Sequence, residues 1–199
     1  MQTWLNPLVL EGNLVKLAPM ELSHIPALLE AASDGNLWEL WYTSAPSANT
    51  VESYVKKALE EQKLGVSLPF VVMDKVTNEV IGTTRYLNVD SKNKRVEIGA
   101  TWYAKRTQRT GINTQCKYLL LTHAFETLNT IAVEFRTHFH NHPSRNAILR
   151  LGAKQDGILR NHIVDHNGLL RDTVVFSIIN SEWPTVKNSL EFKMEKKYT

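Results

Sequence analysis

The stretch 105-KRTQRTGINTQCKYLLLTHAF-125 places Gly111 directly before a run of apolar residues with helical spacing. The N–H groups at the start of a helix have no partners inside the helix, and the helix dipole adds partial positive charge there. A glycine in the entering turn lets a phosphate approach the main chain closely. Residues 98–125 contain no acidic side chain, whereas four cations lie among them: Lys105, Arg106, Arg109 and Lys117. The stretch therefore predicts an anion-binding turn that opens onto a helix.

The segment in front of this turn has the pattern of β-strands. Residues 69–73, 80–87 and 95–103 are predicted to form three strands, separated by polar turns at residues 74–78 and 91–94. Short turns join neighbouring antiparallel strands, whereas parallel strands need a longer crossover. We therefore expect an antiparallel meander that leads into the anion-binding turn.

The N-terminal part of the chain is predicted to supply a short strand or hairpin and two helices. Residues 8–17 alternate apolar and polar side chains around a Gly-Asn pair. Residues 19–32 and 51–62 have apolar side chains at helical spacing. We expect Thr50 to cap the second helix and Gly65 to end it.

The part of the chain after the turn alternates helices and strands. In chain order we expect a helix at 114–128, a strand at 131–139, a helix at 144–151, strands at 158–163 and 173–179, and a terminal helix at 182–197. Ser144 has the N-cap of the 144–151 helix as one of two alternative roles. Gly152 is the expected end of that helix, and Asn167-Gly168 is a strong hairpin signal. The fold class is therefore α+β, with a mixed, mostly antiparallel sheet of about seven strands flanked by helices.

Length and composition favour one domain over residues 1–199. The chain has 43% hydrophobic and 22% charged residues and a formal charge of +3, so it lacks the strong basic excess typical of nucleic-acid binders. Cys116 is the single cysteine, which excludes an intrachain disulfide and fits a reducing compartment. No apolar run approaches the ~20 residues that cross a membrane, and the N-terminus lacks signal-peptide features. We expect a cytoplasmic protein without membrane or nucleic-acid partners.

Two common phosphate-binding motifs do not occur in the chain, namely GxxxxGK[ST] and GxGxxG after an N-terminal strand. The residues Gln108, Gly111 and Asn113 instead resemble the Gln/Arg-x-x-Gly-x-Gly/Ala loop of the GCN5-related N-acetyltransferase (GNAT) superfamily. The strand 97-EIGATWY-103 precedes that loop, in the place of the family's fourth strand. The segments 141-NHPS-144 and 147-AILRLGA-153 follow it and are similar to the family's Asn-x-x-Ser and Gly-Phe segments.

The resemblance covers roughly residues 8–180 and is strongest to the branch that contains ribosomal-protein N-terminal acetyltransferases and some antibiotic acetyltransferases. It implies acetyl-CoA as cosubstrate, no metal, and direct transfer of acetyl to a primary amine of a protein N-terminus or a small molecule. The chain departs from the family pattern at Asn113, at Ile148 in place of a tyrosine acid, and at Ala153. A homodimer through the last hairpin is also in keeping with the resemblance.

The resemblance assigns cofactor contacts to three segments. The loop amides would hold the pyrophosphate, the end of the preceding strand would pair with the pantetheine arm, and the Asn-x-x-Ser segment would bind the same arm. The implied cofactor-binding residues are Thr101, Trp102, Tyr103, Gln108, Arg109, Thr110, Gly111, Ile112, Asn113, Thr114, Asn141 and Ser144.

Catalysis needs a neutral amine, a group that accepts its proton, and a proton for the departing thiolate. By resemblance, Glu97 is the candidate base, although it could instead be a surface residue paired with Lys94 or Arg95. Ser144 or Tyr103 could protonate the thiolate, and solvent would be an alternative. The aromatic rings of the strand could equally be packing residues.

The acceptor side is predicted from aromatic residues and one histidine. Trp38, Trp41 and Tyr42 fall where the family places substrate-facing residues, and the alternative is that they cap the core. His138 is an alternative base; the alternation of His138, His140 and His142 has no accompanying carboxylate or cysteine, so no metal site is predicted. A catalytically silent acyl-CoA-binding domain and a nucleic-acid-binding module are the competing functions.

Overall fold

A computed structural model describes residues 4–165 and 168–195. Within these ranges the strands form one sheet of eight in the order β1-β2-β3-β4-β5-β6-β8-β7. All neighbours pair antiparallel except β5 and β6, which are parallel. Their bounds are β1 Leu10–Glu11, β2 Val15–Pro19, β3 Leu68–Asp74, β4 Val80–Asp90, β5 Arg95–Tyr103, β6 Ala132–His138, β7 Lys154–Val164 and β8 Leu170–Ile179.

Five α-helices cover the two faces of the sheet within the described residues. They are α1 Ile25–Ser33, α2 Val51–Lys63, α3 Ile112–Thr122, α4 His142–Leu151 and α5 Trp183–Glu195. One core cluster joins the sheet to α3, α4 and α5, through residues such as Cys116, Ile148 and Leu190. The other joins the opposite face to α1 and α2, through Leu28 and Val55. None of the described helices is both long and apolar enough to span a membrane.

The predicted mixed, mostly antiparallel sheet flanked by helices is confirmed, with one more strand than expected. The segment 8–17 forms two short paired strands, β1 and β2, because Gly12 lies in the turn between them. The strand predicted at 95–103 has the observed bounds. The helix predicted from residue 114 begins at Ile112, and its last part, His123–Thr127, is a π-helical turn.

Two capping predictions meet different outcomes. Thr50 is the N-cap residue of α2 by position, although its side chain makes no capping hydrogen bond. The prediction that Ser144 caps the next helix is wrong, because α4 begins at His142 and Asn141 is its N-cap. Asn167 of the predicted Asn167-Gly168 turn, and residues 196–197 of the predicted terminal helix, lie outside the described residues.

Candidate active site

The site begins where β5 and β6 separate. The parallel pairing runs only from Arg95 opposite Ala132 to Glu97 opposite Glu134. Beyond that point β5 bends, since Ala100 has a left-handed φ of 47°. The register with β4 also shifts between Thr83 and Arg85. A bulge of this kind bends and twists its strand. The result is an open cleft between β5 and β6 that lies before the anion-binding turn.

The anion-binding turn presents free main-chain N–H groups. Gly111 is the N-cap residue of α3 and has helical dihedral angles. Five neighbouring amides donate to no other group within the described ranges: those of Arg109, Thr110, Gly111, Asn113 and Thr114. Exposed amides at a helix N-terminus form a binding site for phosphate. The predicted anion site therefore has the required donors.

Side chains hold this turn in place. Gln108 Nε2 donates to the Tyr103 carbonyl at 2.9 Å, and Thr110 Oγ1 donates to the Thr107 carbonyl at 2.7 Å. At the first turn of α3, Gln115 Oε1 accepts from the amides of Leu14 at 2.6 Å and Val15 at 3.0 Å. The turn is thus tied to β5 on one side and to the β1–β2 hairpin on the other.

The cations of the opening stretch do not all face the turn. Arg106 is bound by Asp34 at 3.2 Å and Glu79 at 3.0 Å, so its charge is already compensated. Lys117 is buried under the sheet. A cavity of about 260 Å³ beside the turn is lined by Asn113, Thr114, Ala147, Arg150, Leu151, Leu190 and Lys193. Arg150 of α4 therefore comes near the turn, whereas Arg136 pairs with Glu97 at 3.5 Å.

Glu97 is a buried carboxylate in the cleft, at 7% exposure. Its Oε2 accepts from Asn88 Nδ2 at 2.6 Å and lies 3.5 Å from Arg136 Nε. Burial raises its pKa, and the bond from Asn88 and the charge of Arg136 oppose that rise in part. The alternative of a surface residue paired with Lys94 or Arg95 is wrong, because Glu97 is buried and pairs with Arg136, while Arg95 binds Glu134 at 2.7 Å. A carboxylate with a raised pKa is suited to accept a proton near neutral pH.

The structure places the other predicted catalytic side chains in different surroundings. The Tyr103 ring turns into the core beside Cys116, and burial raises the pKa of its hydroxyl well above the usual value. The Tyr103 ring is therefore not exposed to the cleft, and its carbonyl accepts from Gln108 Nε2. Ser144 is partly exposed in the first turn of α4, where its amide donates to Asn141 Oδ1 at 3.0 Å. The Asn141 side-chain oxygen is therefore occupied by capping, while its Nδ2 makes no bond within the described residues.

The predicted acceptor residues separate into two groups. The Trp41 ring is 55% exposed and packs edge-on against His138, with centroids 4.9 Å apart, and against Tyr42 at 5.6 Å. Burial lowers the pKa of His138, whose Nδ1 accepts from the His140 amide at 3.0 Å. Trp38 instead packs against the core between the sheet and α1 and α2. Trp41, Tyr42 and His138 are thus brought together at one end of β6, and Trp38 is not among them.

Several residues at the site were not found from the sequence. They are Asn88 and Arg136, which bind Glu97 from 9 and 39 positions away in the sequence, and Gln115, which binds Val15 from 100 positions away. No local pattern marks such partners. Gly99 did carry a signal, since a glycine inside a strand marks a bulge or a close approach.

Comparison with known proteins gives one consistent result. A family model described as an acetyltransferase (GNAT) domain matches residues 15–154. The Bacillus subtilis (strain 168) protein named "Putative ribosomal N-acetyltransferase YdaF" is 34% identical over 96 residues, which is 48% of this chain and 51% of that protein. The chain thus spans about half the length of this curated relative.

Solved structures extend the likeness over nearly the whole chain. A GCN5-related N-acetyltransferase from Brucella melitensis superposes with a TM-score of 0.85 and 28% identity, covering 96% of this chain and 87% of that chain. Mycobacterium smegmatis RimJ, solved in complex with CoA-disulfide, superposes with a TM-score of 0.76 and 22% identity, covering 95% and 93%. The second likeness concerns the fold alone.

Proposed function

The chain belongs to the GNAT family of acetyltransferases, and from this premise we propose that it transfers the acetyl group of acetyl-CoA to a primary amine by direct attack. The observation that carries the proposal is the set of five amides at the end of the cleft that have no partner among the described residues, those of Arg109, Thr110, Gly111, Asn113 and Thr114. These donors fit a pyrophosphate, and the neighbouring cavity at Arg150 leaves room for more of a nucleotide. The CoA in the M. smegmatis RimJ structure agrees with this cosubstrate.

The cleft between β5 and β6 supports the acyl-transfer part of the proposal. Past Glu97, β5 has no strand partner on the side of β6 within the described residues, which leaves room for the pantetheine arm to pair with main-chain groups of β5 that side chains do not already bind. When bound, acetyl-CoA would supply an activated carbonyl carbon there. A main-chain N–H near the bulge at Ala100 would stabilise negative charge that develops on the carbonyl oxygen.

Glu97 is the proposed general base. Its buried carboxylate has a raised pKa and lies where the two strands separate. Glu97 would accept a proton from the attacking amine, directly or through a water molecule. An α-amino group has a pKa near 8, whereas a lysine side chain has a pKa of about 10.4. A larger fraction of a protein N-terminus is therefore neutral near pH 7, and its attack depends less on a general base.

We further propose a protein N-terminus as the acceptor. The B. subtilis relative is named as a ribosomal N-acetyltransferase, which favours a protein substrate. The exposed ring of Trp41, beside His138 at one end of β6, offers an apolar surface to a side chain near that terminus. A small-molecule amine is the competing acceptor.

The first test is a calorimetric titration of the protein with acetyl-CoA and with CoA. We expect micromolar binding of both, lost in Gly111→Trp because the indole would fill the turn. Gly157→Trp is the matched control, since residue 157 lies in the edge strand β7 with open space around its Cβ position. An absence of binding to the wild-type protein would overturn the proposal.

The second test measures release of free CoA with a panel of amines. The panel contains peptides with a free N-terminus, the same peptides with the N-terminus blocked and one lysine, a polyamine and an amino-sugar antibiotic. Turnover with the free N-terminal peptides, lost in Glu97→Gln, is the expected result. Binding of acetyl-CoA without turnover of any amine would instead favour a silent acyl-CoA-binding domain, for which Ile148 in place of a tyrosine is the motivating residue.

A further inference from the structure

Lys117 is a buried lysine without a carboxylate partner. Its side chain extends from α3 under the sheet at 6% exposure, and it forms no ion pair with any described residue. Nζ donates to Thr101 Oγ1 at 2.6 Å and to Thr84 Oγ1 at 3.1 Å. An unpaired buried charge is costly, whereas methionine would fill the same space without that cost. The position therefore keeps an ammonium group at the expense of stability.

The two threonines that receive these hydrogen bonds differ in their access to the cleft. Thr84 is fully buried at 0% exposure on β4. Thr101 is partly exposed on β5 and directly follows Ala100, the residue whose left-handed φ forms the bulge. The Thr101 hydroxyl thus connects the buried ammonium to the strand that borders the cleft.

The hydrogen bonds leave the Thr101 proton available when Thr84 donates to Thr101. Thr101 Oγ1 accepts from Lys117 and lies 2.8 Å from Thr84 Oγ1, a contact in which either hydroxyl can donate. With Thr84 as the donor, the Thr101 proton has the Gly99 carbonyl as its acceptor at 3.2 Å, a long distance for a hydroxyl donor. A stronger acceptor in the cleft could therefore take over the Thr101 proton while Lys117 continues to donate.

We propose that Lys117, acting through the Thr101 hydroxyl, stabilises and protonates the thiolate that leaves acetyl-CoA. This inference rests on the proposed function. In the step, the amine nitrogen bonds to the carbonyl carbon and the carbon–sulfur bond breaks. Glu97 takes the amine proton, Thr101 gives its proton to the sulfur, and Lys117 replaces the Thr101 proton. Exchange with solvent then restores Lys117 and Glu97. Thr101 is the catalytic residue of this relay, and Lys117 is a positioning residue.

Ile148, at the position of the family's tyrosine acid, and Tyr103 are less suited to this role. Ile148 cannot donate a proton, and the Tyr103 ring points into the core. Burial lowers the pKa of Lys117 to about 8, which is close to that of an ordinary thiol. The titratable group that acts on Lys117 electrostatically is Cys116, which in turn hydrogen-bonds Tyr103. Burial raises the pKa of Cys116 to about 12 and that of Tyr103 well above its usual value, so both stay neutral near pH 7.

Three variants test the relay. Lys117→Met removes the ammonium, Thr101→Val removes the hydroxyl of the partly exposed residue on β5, and Thr84→Val is the matched control because Thr84 is fully buried. We expect kcat to fall about 100-fold in the first two variants and by less than about threefold in Thr84→Val, with little change in the KM for acetyl-CoA. The wild-type kcat should decline above about pH 8 as Lys117 loses its charge, and this decline should be absent from Lys117→Met.

Two measurements separate the relay from a purely structural role. The first is the pKa of the thiol of bound CoA, measured through the ultraviolet absorbance of the thiolate. This pKa should be lower by about one unit in the wild type than in Lys117→Met. The second is thermal unfolding at pH 7. Lys117→Met should be at least as stable as the wild type, because it removes an uncompensated buried charge. A structural role predicts the opposite, namely a less stable variant with an unchanged thiol pKa.

The outcomes also separate this inference from the proposed function. If the wild type binds no acetyl-CoA or acetylates no amine, the proposed function fails first. If the wild type is active and Thr101→Val keeps its kcat within about twofold of Thr84→Val, the relay is wrong while the acetyltransferase function stands. The comparison of the two valine variants decides the matter even where Lys117→Met does not fold.

Discussion

Gly99 lies in close contact with the carboxylate of Glu97, which leaves no room for a side chain at position 99. A Cβ atom on residue 99 would lie 2.8 Å from Glu97 Oε1 and 2.9 Å from Leu87 Cδ1. Both distances are shorter than normal van der Waals contacts, so any larger residue at position 99 must displace the carboxylate or the leucine. Glycine at this position therefore keeps open the space that the proposed base occupies, at the place where β5 separates from β6.

Gly99→Ala is expected to lower kcat about 100-fold, because a misplacement of a reacting group by about 1 Å has an effect of that size. Binding of acetyl-CoA should change little, since the amides of the turn lie in the segment after β5 and contact neither Gly99 nor Glu97 in the described residues. Steady-state kinetics and calorimetry measure the two effects. Gly157→Ala is the control, because a Cβ atom there meets no atom within 4 Å. A kcat within twofold of the wild type would show that the Glu97 position is not critical.

Glu97→Gln should be less active than the wild type. Its stability relative to the wild type should increase as the pH rises. Burial raises the pKa of Glu97, so the folded state binds its proton more tightly than the unfolded chain does. Stability from this group is therefore present below the ordinary glutamate pKa and is lost as pH rises through the raised value. Glutamine carries no such charge. Thermal unfolding across this pH range should show the variant gaining on the wild type toward neutral pH, and a constant difference would contradict the assignment.

Local patterns predict most of the fold, because apolar residues recur with regular strand or helix spacing in most of the elements. β5 was placed with its observed bounds, since its flanks are a polar turn and the basic segment around Lys105. The end of α3 was less accurate, because the apolar spacing continues through the π-helical turn at His123–Thr127. Ser144 and Asn141 are both residues that cap helices well, and the observed cap is Asn141, three residues earlier. Pro143 lies in the first turn of the helix, a position that proline favours.

The site was predictable only where its groups are consecutive in the chain. The anion-binding turn is one such segment. The environment of Glu97 is not, because it depends on Asn88 from β4 and Arg136 from β6. The partners of Lys117 are likewise distant in the sequence, so the local pattern groups it with the cations of the anion-binding turn. In the structure its side chain extends from α3 to Thr84 and Thr101 instead.

Cys116 should resist alkylation in the folded protein. It is fully buried, and burial raises its pKa from 9.0 to about 12. The thiolate is the reactive form, so reaction with iodoacetamide at pH 8 should be slow until the protein unfolds. Mass spectrometry over a urea series would follow the modification, which should coincide with loss of structure. Fast labelling without urea would contradict the buried position of this thiol.

Asn141 has two roles that substitution can separate. Its Oδ1 caps α4 by accepting from the Ser144 amide at 3.0 Å, while its Nδ2 is available to the pantetheine arm. Asn141→Ser keeps a capping oxygen and removes the amide donor, so stability should be nearly unchanged while the KM for acetyl-CoA rises. Asn141→Ala removes both and should also lose about 1 kcal/mol of stability. If the serine variant has an unchanged KM, the amide makes no contact with the cosubstrate.

Trp41 and Trp38 should have opposite effects when each is replaced by alanine. Trp41 is 55% exposed beside His138, so Trp41→Ala should leave stability unchanged and raise the KM for the acceptor peptide several-fold. Trp38 packs against the α1 and α2 core, so Trp38→Ala should cost about 2 kcal/mol of stability. Its effect on the acceptor KM should be small by comparison. Peptide kinetics and urea unfolding of both variants test the pair, and an unchanged acceptor KM in Trp41→Ala would exclude this ring from the acceptor site.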